Sequence, residues 1–153
     1  MPHYPLNHHM RQTYRFIAFL AGAYLVVTGV IGVASTWGDS FFGRDGHSWS
    51  LGLRVNPAGA WLLVVLGLIV VAATLAGGNV HHNVTVVTGW AMCAIAVLIM
   101  TTMQTDANAV DASMINVIVL LILGLVTLTA GLYGKVGSHK AARAEAAAEH
   151  PSH

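Results

Sequence analysis

Two long apolar segments joined by a very short polar connection dominate the middle of the chain, between Ala58 and Met103. The first segment, 58–77, has no charged residue over about 20 positions, which at roughly 1.5 Å per helical residue matches a hydrocarbon core of about 30 Å. The second segment, 84–103, is equally uncharged. Neither segment has the polar face that a helix of a soluble protein needs, so both are predicted to be transmembrane helices. The connecting residues 77–83 predict a tight turn.

Two further apolar segments flank this pair, at 16–36 and 113–134. The first follows basic residues and contains the small-residue triplet Gly32-Val33-Ala34, a pattern typical of a cleaved secretory signal. The apolar part of a signal is only about 7–15 residues long, so we interpret the longer segment 16–36 as an uncleaved anchor. The chain has 56% hydrophobic and 8% charged residues, whereas soluble domains have roughly one-quarter charged residues. The predicted fold class is an all-α membrane protein, a bundle of four transmembrane helices forming one domain, 16–135.

Polar residues at two predicted helix starts suit capping. Asn56 is followed by Pro57, whose missing N–H costs nothing at the first helical position. Asp111 or Ser113 can cap the fourth helix in the same way. About one turn inside that helix, Asn116 is expected to hydrogen-bond to another helix or to water.

Polar segments connect and flank the predicted spans. The longest connection, 37–55, interleaves aromatic residues with glycines, which suits a loop lying against the membrane surface. Its charges balance one another, so we interpret it as a solvated loop with local ion pairs among Asp39, Arg44, Asp45 and Arg54. A short polar connection, 104–112, precedes the fourth span. The flanking segments are an N-terminal tail, 1–15, and an Ala-rich C-terminal tail, 136–153.

The distribution of Lys and Arg predicts the orientation of the bundle. With four spans, both termini lie on the same side of the membrane. Five Lys and Arg residues lie on that side, and only Arg44 and Arg54 lie on the other. The positive-inside rule therefore predicts that both tails and the 77–83 turn are cytoplasmic, in a multi-pass protein of the cytoplasmic (inner) membrane. The formal net charge of +1 gives no reason to expect a nucleic-acid partner.

Short similarities relate the two halves of the chain. Leu66-Gly67-Leu68 recurs as Leu123-Gly124-Leu125, and the segment 26–29 recurs as 86–89. Duplication would make the bundle two tandem helical hairpins, and chance similarity between low-complexity membrane segments is the alternative. Small residues four positions apart predict close helix contacts within the bundle, at Ala18 and Gly22, Ala73 and Gly77, Thr85 and Gly89, and Ala130 and Gly134.

Four sequence segments carry a resemblance to a known family: 51–57 (LGLRVNP), 77–84 (GGNVHHNV), 104–108 (QTDAN) and 113–117 (SMINV). They resemble segments of an uncharacterised family of small four-helix membrane proteins, found mainly in actinobacteria, domain of unknown function 4383 (DUF4383). The resemblance covers roughly 16–135. It implies the fold and a membrane location but no active site, and the His-rich tails lie outside it.

Histidines cluster on the predicted cytoplasmic side. Eight of the nine lie there, and His47 does not: His3, His8, His9, His81, His82, His139, His150 and His153. Imidazole is a common ligand of Zn, Ni and Cu, so metal binding at this face is one interpretation. Neighbouring histidines diverge, however, and no Cys or carboxylate spacing completes a site, so we predict solvated histidines near the lipid headgroups and no metal site. A haem between facing helices would need histidines within the spans, and the predicted spans have none.

Polar residues inside the predicted spans could line a path for a solute. They carry hydroxyl or amide groups and no ionisable acid or base, which proton or ion translocation usually requires. Hydrogen bonds between helices are the better interpretation of Tyr24, Thr28, Thr74, Thr88, Asn116, Thr127 and Thr129.

The sequence has no catalytic signature, no catalytic or cofactor-binding residues and no implied cofactor, so we expect a protein that is not an enzyme. The predicted function is an accessory or scaffold subunit of a membrane complex, with membrane lipids and other membrane proteins or a second copy as partners. Two alternatives stay open: a small transporter or channel for an uncharged or lipid-like solute, and a metal-binding membrane protein using the cytoplasmic histidines.

Overall fold

The computed structural model describes residues 8–44 and 48–137. Within them the chain forms four α-helices and one antiparallel β-hairpin, in the order α1 (Arg11–Ser35), β1 (Ser48–Ser50), β2 (Leu53–Val55), α2 (Pro57–Ala76), α3 (Gly78–Thr102) and α4 (Met114–Leu132). All four helices are long and apolar enough to cross a membrane. The predicted fold class, an all-α membrane protein with four transmembrane helices, is therefore confirmed. Most of the predicted C-terminal tail and the start of the N-terminal tail lie outside the described residues.

The first helix begins at Arg11, before the apolar segment predicted to start at residue 16. Contacts of its first turns explain the earlier start. Arg15 bonds to the end of α2, and the ring of Tyr14 stacks on that of Tyr133 after α4, with ring centres 4.8 Å apart. The apolar segment predicted only the part of α1 that would lie in hydrocarbon. These polar and aromatic contacts extend the helix beyond that part.

The predicted turn at 77–83 is wrong in extent, because α3 begins at Gly78 and not near residue 84. The chain reverses at Gly77 and Gly78, whose φ angles of 69° and 56° lie in the region that favours glycine. The following polar residues continue as helix because they contact the end of α4. Asn79, for example, accepts a hydrogen bond from the backbone N–H of Val136 at 3.0 Å.

Glycines set the closest helix contacts. A Cβ atom at Gly67 of α2 would lie 2.7 Å from the carbonyl oxygen of Gly22 on α1, and one at Gly89 of α3 would lie 2.6 Å from the backbone nitrogen of Leu128 on α4. The predicted close contacts at Gly22 and Gly89 are confirmed. Helix α1 packs most extensively on α2, and α3 on α4, so the bundle consists of two helical hairpins. Their origin by duplication stays a prediction.

The β-hairpin packs against α1, α2 and α4 and reaches the middle of α1. Leu53 and Val55 are buried and belong to the same apolar core as the helix residues Leu25, Leu63 and Met92. Ser50 donates a hydrogen bond to the carbonyl of Thr28 at 2.6 Å, and Tyr24 donates to the carbonyl of Leu51 at 3.1 Å. Part of the connection predicted to be a solvated loop is therefore a packed element of the fold.

Candidate functional site

Arg15 joins α1 to the end of α2. Its Nε donates to the carbonyl of Thr74, and its Nη2 donates to the carbonyl of Leu75 at 3.1 Å. The last carbonyls of a helix have no partner within it, and a cation also suits the negative end of the helix dipole. The guanidinium lies against Gly77, where a Cβ would come within 3.0 Å of Nη1. In the sequence, Arg15 contributed only to the predicted orientation of the bundle in the membrane. No local pattern shows that it contacts a helix about sixty residues away.

His81 lies beside Arg15 on the first turn of α3, and its side chain is only 1% exposed. Neither ring nitrogen has a hydrogen-bond partner among the described residues. Its Cδ2 lies 2.9 Å from where a Cβ at Gly134 would stand, so the ring packs against the end of α4. The prediction of a solvated His81 is wrong, because residues 78–83 are helical and turn this side chain toward α4.

His82 is half-buried, and its Nδ1 lies 2.7 Å from the carbonyl oxygen of Gly131. The neighbouring Thr85 donates to the carbonyl of His81. The two adjacent histidines therefore both contact α4 or the residues that directly follow it. The structure adds a contact between α3 and α4 at His82, and the location of this residue near the lipid headgroups stays a prediction.

The other described histidines, His8 and His9, lie before α1, with ring centres 4.5 Å apart. The ring of His8 also meets the edge of Tyr133 at 5.1 Å. Within residues 8–44 and 48–137, no three His, Cys, Asp or Glu side chains form a group that could hold a metal ion. The remaining predicted histidines, His3, His47, His139, His150 and His153, lie outside the described residues.

A groove opens on the outer face of the bundle next to Arg15. We call it the Arg15 groove; it has a volume of about 330 Å³ and is lined by Gln12, Arg15, Phe16, Phe19, Thr74 and Leu75. The side chains of Phe16 and Leu75 are 60% and 68% exposed, so the groove has apolar walls with one cation at its end.

At the other end of the bundle, Arg54 on β2 forms a buried ion pair with Asp111, which precedes α4. The Nη2–Oδ1 distance is 3.1 Å, and the Asp111 side chain is only 3% exposed. Arg54 also donates through Nε to the Asp111 carbonyl at 2.8 Å and through Nη2 to the Ala112 carbonyl at 3.2 Å. The predicted pairing of Arg54 within its own loop is wrong, because its partner lies in the connection to α4.

Asn116 binds the same strand. Its Nδ2 donates to the Arg54 carbonyl at 2.7 Å, and its Oδ1 accepts from the Arg54 N–H at 3.2 Å and from the Ser113 N–H at 3.2 Å. The amide was expected to reach another helix or water, and it instead reaches the backbone of β2. Two segments that carry the family resemblance, 51–57 and 113–117, meet at this contact.

Two more buried asparagines fix the connections at this end. Asn56 accepts from the Gly59 N–H at 2.8 Å, as predicted for a cap of α2, and donates to the carbonyls of Gly43 and Ala109. Asn108 accepts from the Ala112 N–H at 3.0 Å and donates to two carbonyls of its own connection. We call the contacts of Arg54, Asn56, Asn108, Asp111 and Asn116 the hairpin-end network. It joins the end of α1–α2 to the start of α4.

The remaining predicted loop pair also crosses between connections. Arg44 contacts Asp106 at 3.1 Å, with both side chains exposed, and its Nη1 donates to the Thr105 carbonyl. Asp45 lies outside the described residues. Both arginines of this end, Arg44 and Arg54, therefore link 37–55 to 104–112.

The threonines do not form the predicted bonds between helices. Thr74 and Thr129 donate to carbonyls of their own helices, at 2.7 Å and 2.8 Å. Thr28 and Thr127 are fully buried, and their hydroxyls have no partner among the described residues. They pack as small side chains of the core.

A small cavity lies within the bundle, and a larger groove lies on its outer face. A cavity of about 20 Å³ lies under the β-hairpin, lined mainly by apolar side chains and by Asn116, which is room for about one water molecule. A groove of about 370 Å³ lies outside, between the end of α1 and the start of α2. We call it the Trp groove; its lining residues are Val30, Val33, Ala34, Trp37, Trp61 and Val64.

Comparisons with known proteins found no match to this chain among family models, curated proteins or solved structures. The resemblance to DUF4383 therefore stays a prediction.

Proposed function

We propose that this multi-pass membrane protein is a non-enzymatic accessory or scaffold subunit that holds another membrane protein, or a second copy of itself, at the Trp groove. The observation that carries the proposal is the position of the free space. The groove of about 370 Å³ faces outward between α1 and α2, whereas the cavity under the β-hairpin has room for about one water.

The chemistry of the groove fits an apolar helix better than a polar solute. Its lining residues are Val, Ala and Trp. Trp37 is 84% exposed and Trp61 is 49% exposed. Ala34 also lines the groove, and a small residue there lets a second helix approach closely, as in membrane interfaces. Large aromatic side chains at such a contact are also the residues that contribute most to binding.

A scaffold must hold its docking surface rigidly. The Trp groove lies where α1 and α2 meet the connections fixed by the hairpin-end network. The ion pair between Arg54 and Asp111 and the bonds of Asn116 to Arg54 join the β-hairpin to the start of α4 at this end. This network supports a fixed groove geometry, since the buried side chains of Asn56, Asn108 and Asn116 each bond to specific backbone groups.

For location we propose the cytoplasmic membrane with both termini inside. The basis is the bias of Lys and Arg toward the side of the termini, together with Arg15 at that end of α1. In this orientation the β-hairpin and the Trp groove lie at the outer face, where Trp side chains favour the interface.

Co-purification tests the proposal. The full chain is purified from its native membrane in mild detergent as wild type, as Ala34→Trp, which fills the Trp groove, and as Ala94→Trp, a control on the exposed face of α3. We expect a membrane protein, or a second copy, at a fixed ratio in the wild type and the control, and its loss in Ala34→Trp. A monomeric chain alone in all three preparations would overturn the proposal and favour a transporter, to be tested by solute flux in vesicles.

A further inference from the structure

We propose that the Arg15 groove is a specific binding site for one anionic phospholipid, with the headgroup phosphate at Arg15 and an acyl chain along Phe16, Phe19 and Leu75. The site lies at the opposite end of the α1–α2 hairpin from the Trp groove. It does not depend on the proposed accessory function, because it rests on a different set of residues.

The length of α1 sets the depth of Arg15 in the membrane. From Arg15 to the end of α1 at Ser35 the helix rises about 30 Å, the thickness of a hydrocarbon core. Trp37, which follows directly, is the kind of side chain that lies at a membrane interface. With Trp37 at one interface, the guanidinium of Arg15 lies at the level of the headgroups in the other leaflet.

Arg15 has hydrogen-bond donors beyond those that it uses on α2. Two of its N–H groups donate to the last carbonyls of α2. The remaining N–H groups have no partner among the described residues, and the side chain is half-buried. Two hydrogen bonds hold the guanidinium in one position, and its other N–H groups are well suited to donate to a phosphate oxygen. Gln12, one turn earlier on the groove wall, adds an amide donor.

Beyond the cation, the groove is lined mainly by apolar side chains. Its other walls are Phe16, Phe19, Leu75 and the backbone region of Thr74, and its volume of about 330 Å³ lies in the range of ligand pockets, about 300–1,000 Å³. A free phosphate would leave these apolar walls uncovered. A phospholipid fits both the cation and the apolar walls, because its phosphate contacts Arg15 and its acyl chain continues toward the membrane interior.

The matched control is Arg11, which lies one helical turn before Arg15 on a similar side of α1 and does not line the groove. Both residues add one positive charge to the same end of the bundle. A general attraction to anionic membranes would depend on both equally, whereas a site depends on Arg15 alone.

The test is native mass spectrometry of the full chain in detergent, titrated with phosphatidylglycerol or phosphatidylcholine. We expect one phosphatidylglycerol to bind about fivefold more tightly than phosphatidylcholine, the effect of one basic residue at the membrane surface. Arg15→Gln should remove this preference, and Arg11→Gln should keep it. Leu75→Trp, which fills the groove and leaves Arg15 in place, should weaken binding of both lipids.

Several outcomes would overturn the proposal. Equal binding of the two lipids by the wild type would mean that the groove holds ordinary acyl chains. Equal loss of preference in Arg15→Gln and Arg11→Gln would show a diffuse surface charge. Displacement of the lipid by millimolar inorganic phosphate would assign the site to a free anion. If Arg15→Gln does not fold, unchanged lipid binding in Leu75→Trp would by itself contradict the site.

Discussion

The guanidinium of Arg54 and the carboxylate of Asp111 lie 3.1 Å apart in a buried ion pair that joins the β-hairpin to the connection before α4. The Asp111 backbone has a φ angle of 47°, which a non-glycine residue adopts only when its surroundings hold it there. The ion pair therefore links the α1–α2 hairpin to the α3–α4 hairpin.

Arg54→Gln is expected to destabilise the bundle by about 1–3 kcal/mol, because it removes the charged contacts of a guanidinium with a buried carboxylate and with two backbone carbonyls. The measurement is the unfolding midpoint in detergent, by circular dichroism during a denaturant titration. Arg44→Gln is the matched control, since its pair with Asp106 is exposed and should leave the midpoint almost unchanged. Equal effects of the two substitutions would contradict the structural role of the buried pair.

Gly89→Ala is expected to destabilise the α3–α4 contact by about 1–3 kcal/mol or more, as overpacking does. The added methyl would meet backbone atoms of Leu128 at 2.6–2.7 Å, and backbone cannot rotate away as a side chain can. The same unfolding measurement applies. Ala94→Leu, which enlarges an exposed residue of the same helix, should be tolerated, and a tolerated Gly89→Ala would show that the helices are further apart than described.

His81→Leu is expected to leave the stability unchanged or to raise it by up to about 1–3 kcal/mol. The buried imidazole has no hydrogen-bond partner among the described residues, so its removal ends an uncompensated desolvation cost. His82→Leu is the comparison, and it should lower the midpoint because it removes the contact with the Gly131 carbonyl. A large loss of stability in His81→Leu would show that the ring does bind a water, an ion or a ligand.

Orientation is tested with single cysteines at Ser40 and Ser138 in a chain whose Cys93 has been replaced. Ser40 lies in the exposed connection after α1, on the side predicted to be outside. An impermeant thiol reagent added to intact cells should label the cysteine at position 40 and not that at 138. Labelling at position 138 alone would reverse the orientation and place the Trp groove at the cytoplasmic face.

The number, order and approximate bounds of the helices followed from the sequence, because uncharged stretches of membrane length have few other structures available. The helix ends did not. Helix α1 starts at Arg11 and α3 at Gly78 because of contacts with α2 and α4, and hydropathy carries no information about such contacts. The error at α3 had a direct consequence, since it placed His81 in a solvated turn and not in a buried first helical turn.

Some polar contacts were likewise predictable from the sequence, and others were not. The capping role of Asn56 was predictable, because its partner Gly59 is three residues away and the Asn-Pro pair is a local signal. The partners of Arg54, Asn116 and Arg15 lie about sixty positions away in the chain, where no local pattern identifies them. Balanced charges within one connection suggested local pairs, but the structure pairs these arginines across two connections.

The central claim, that the Trp groove holds a protein partner, is tested most directly by photo-crosslinking in the native membrane. A benzophenone amino acid is placed at position 61 in the groove and, as a control, at position 90, where Trp90 is 64% exposed on α3. We predict one product of defined mass from position 61, matching a second copy or another membrane protein, and its loss when Ala34→Trp fills the groove. The same products at both positions, or only lipid adducts at position 61, would contradict the claim.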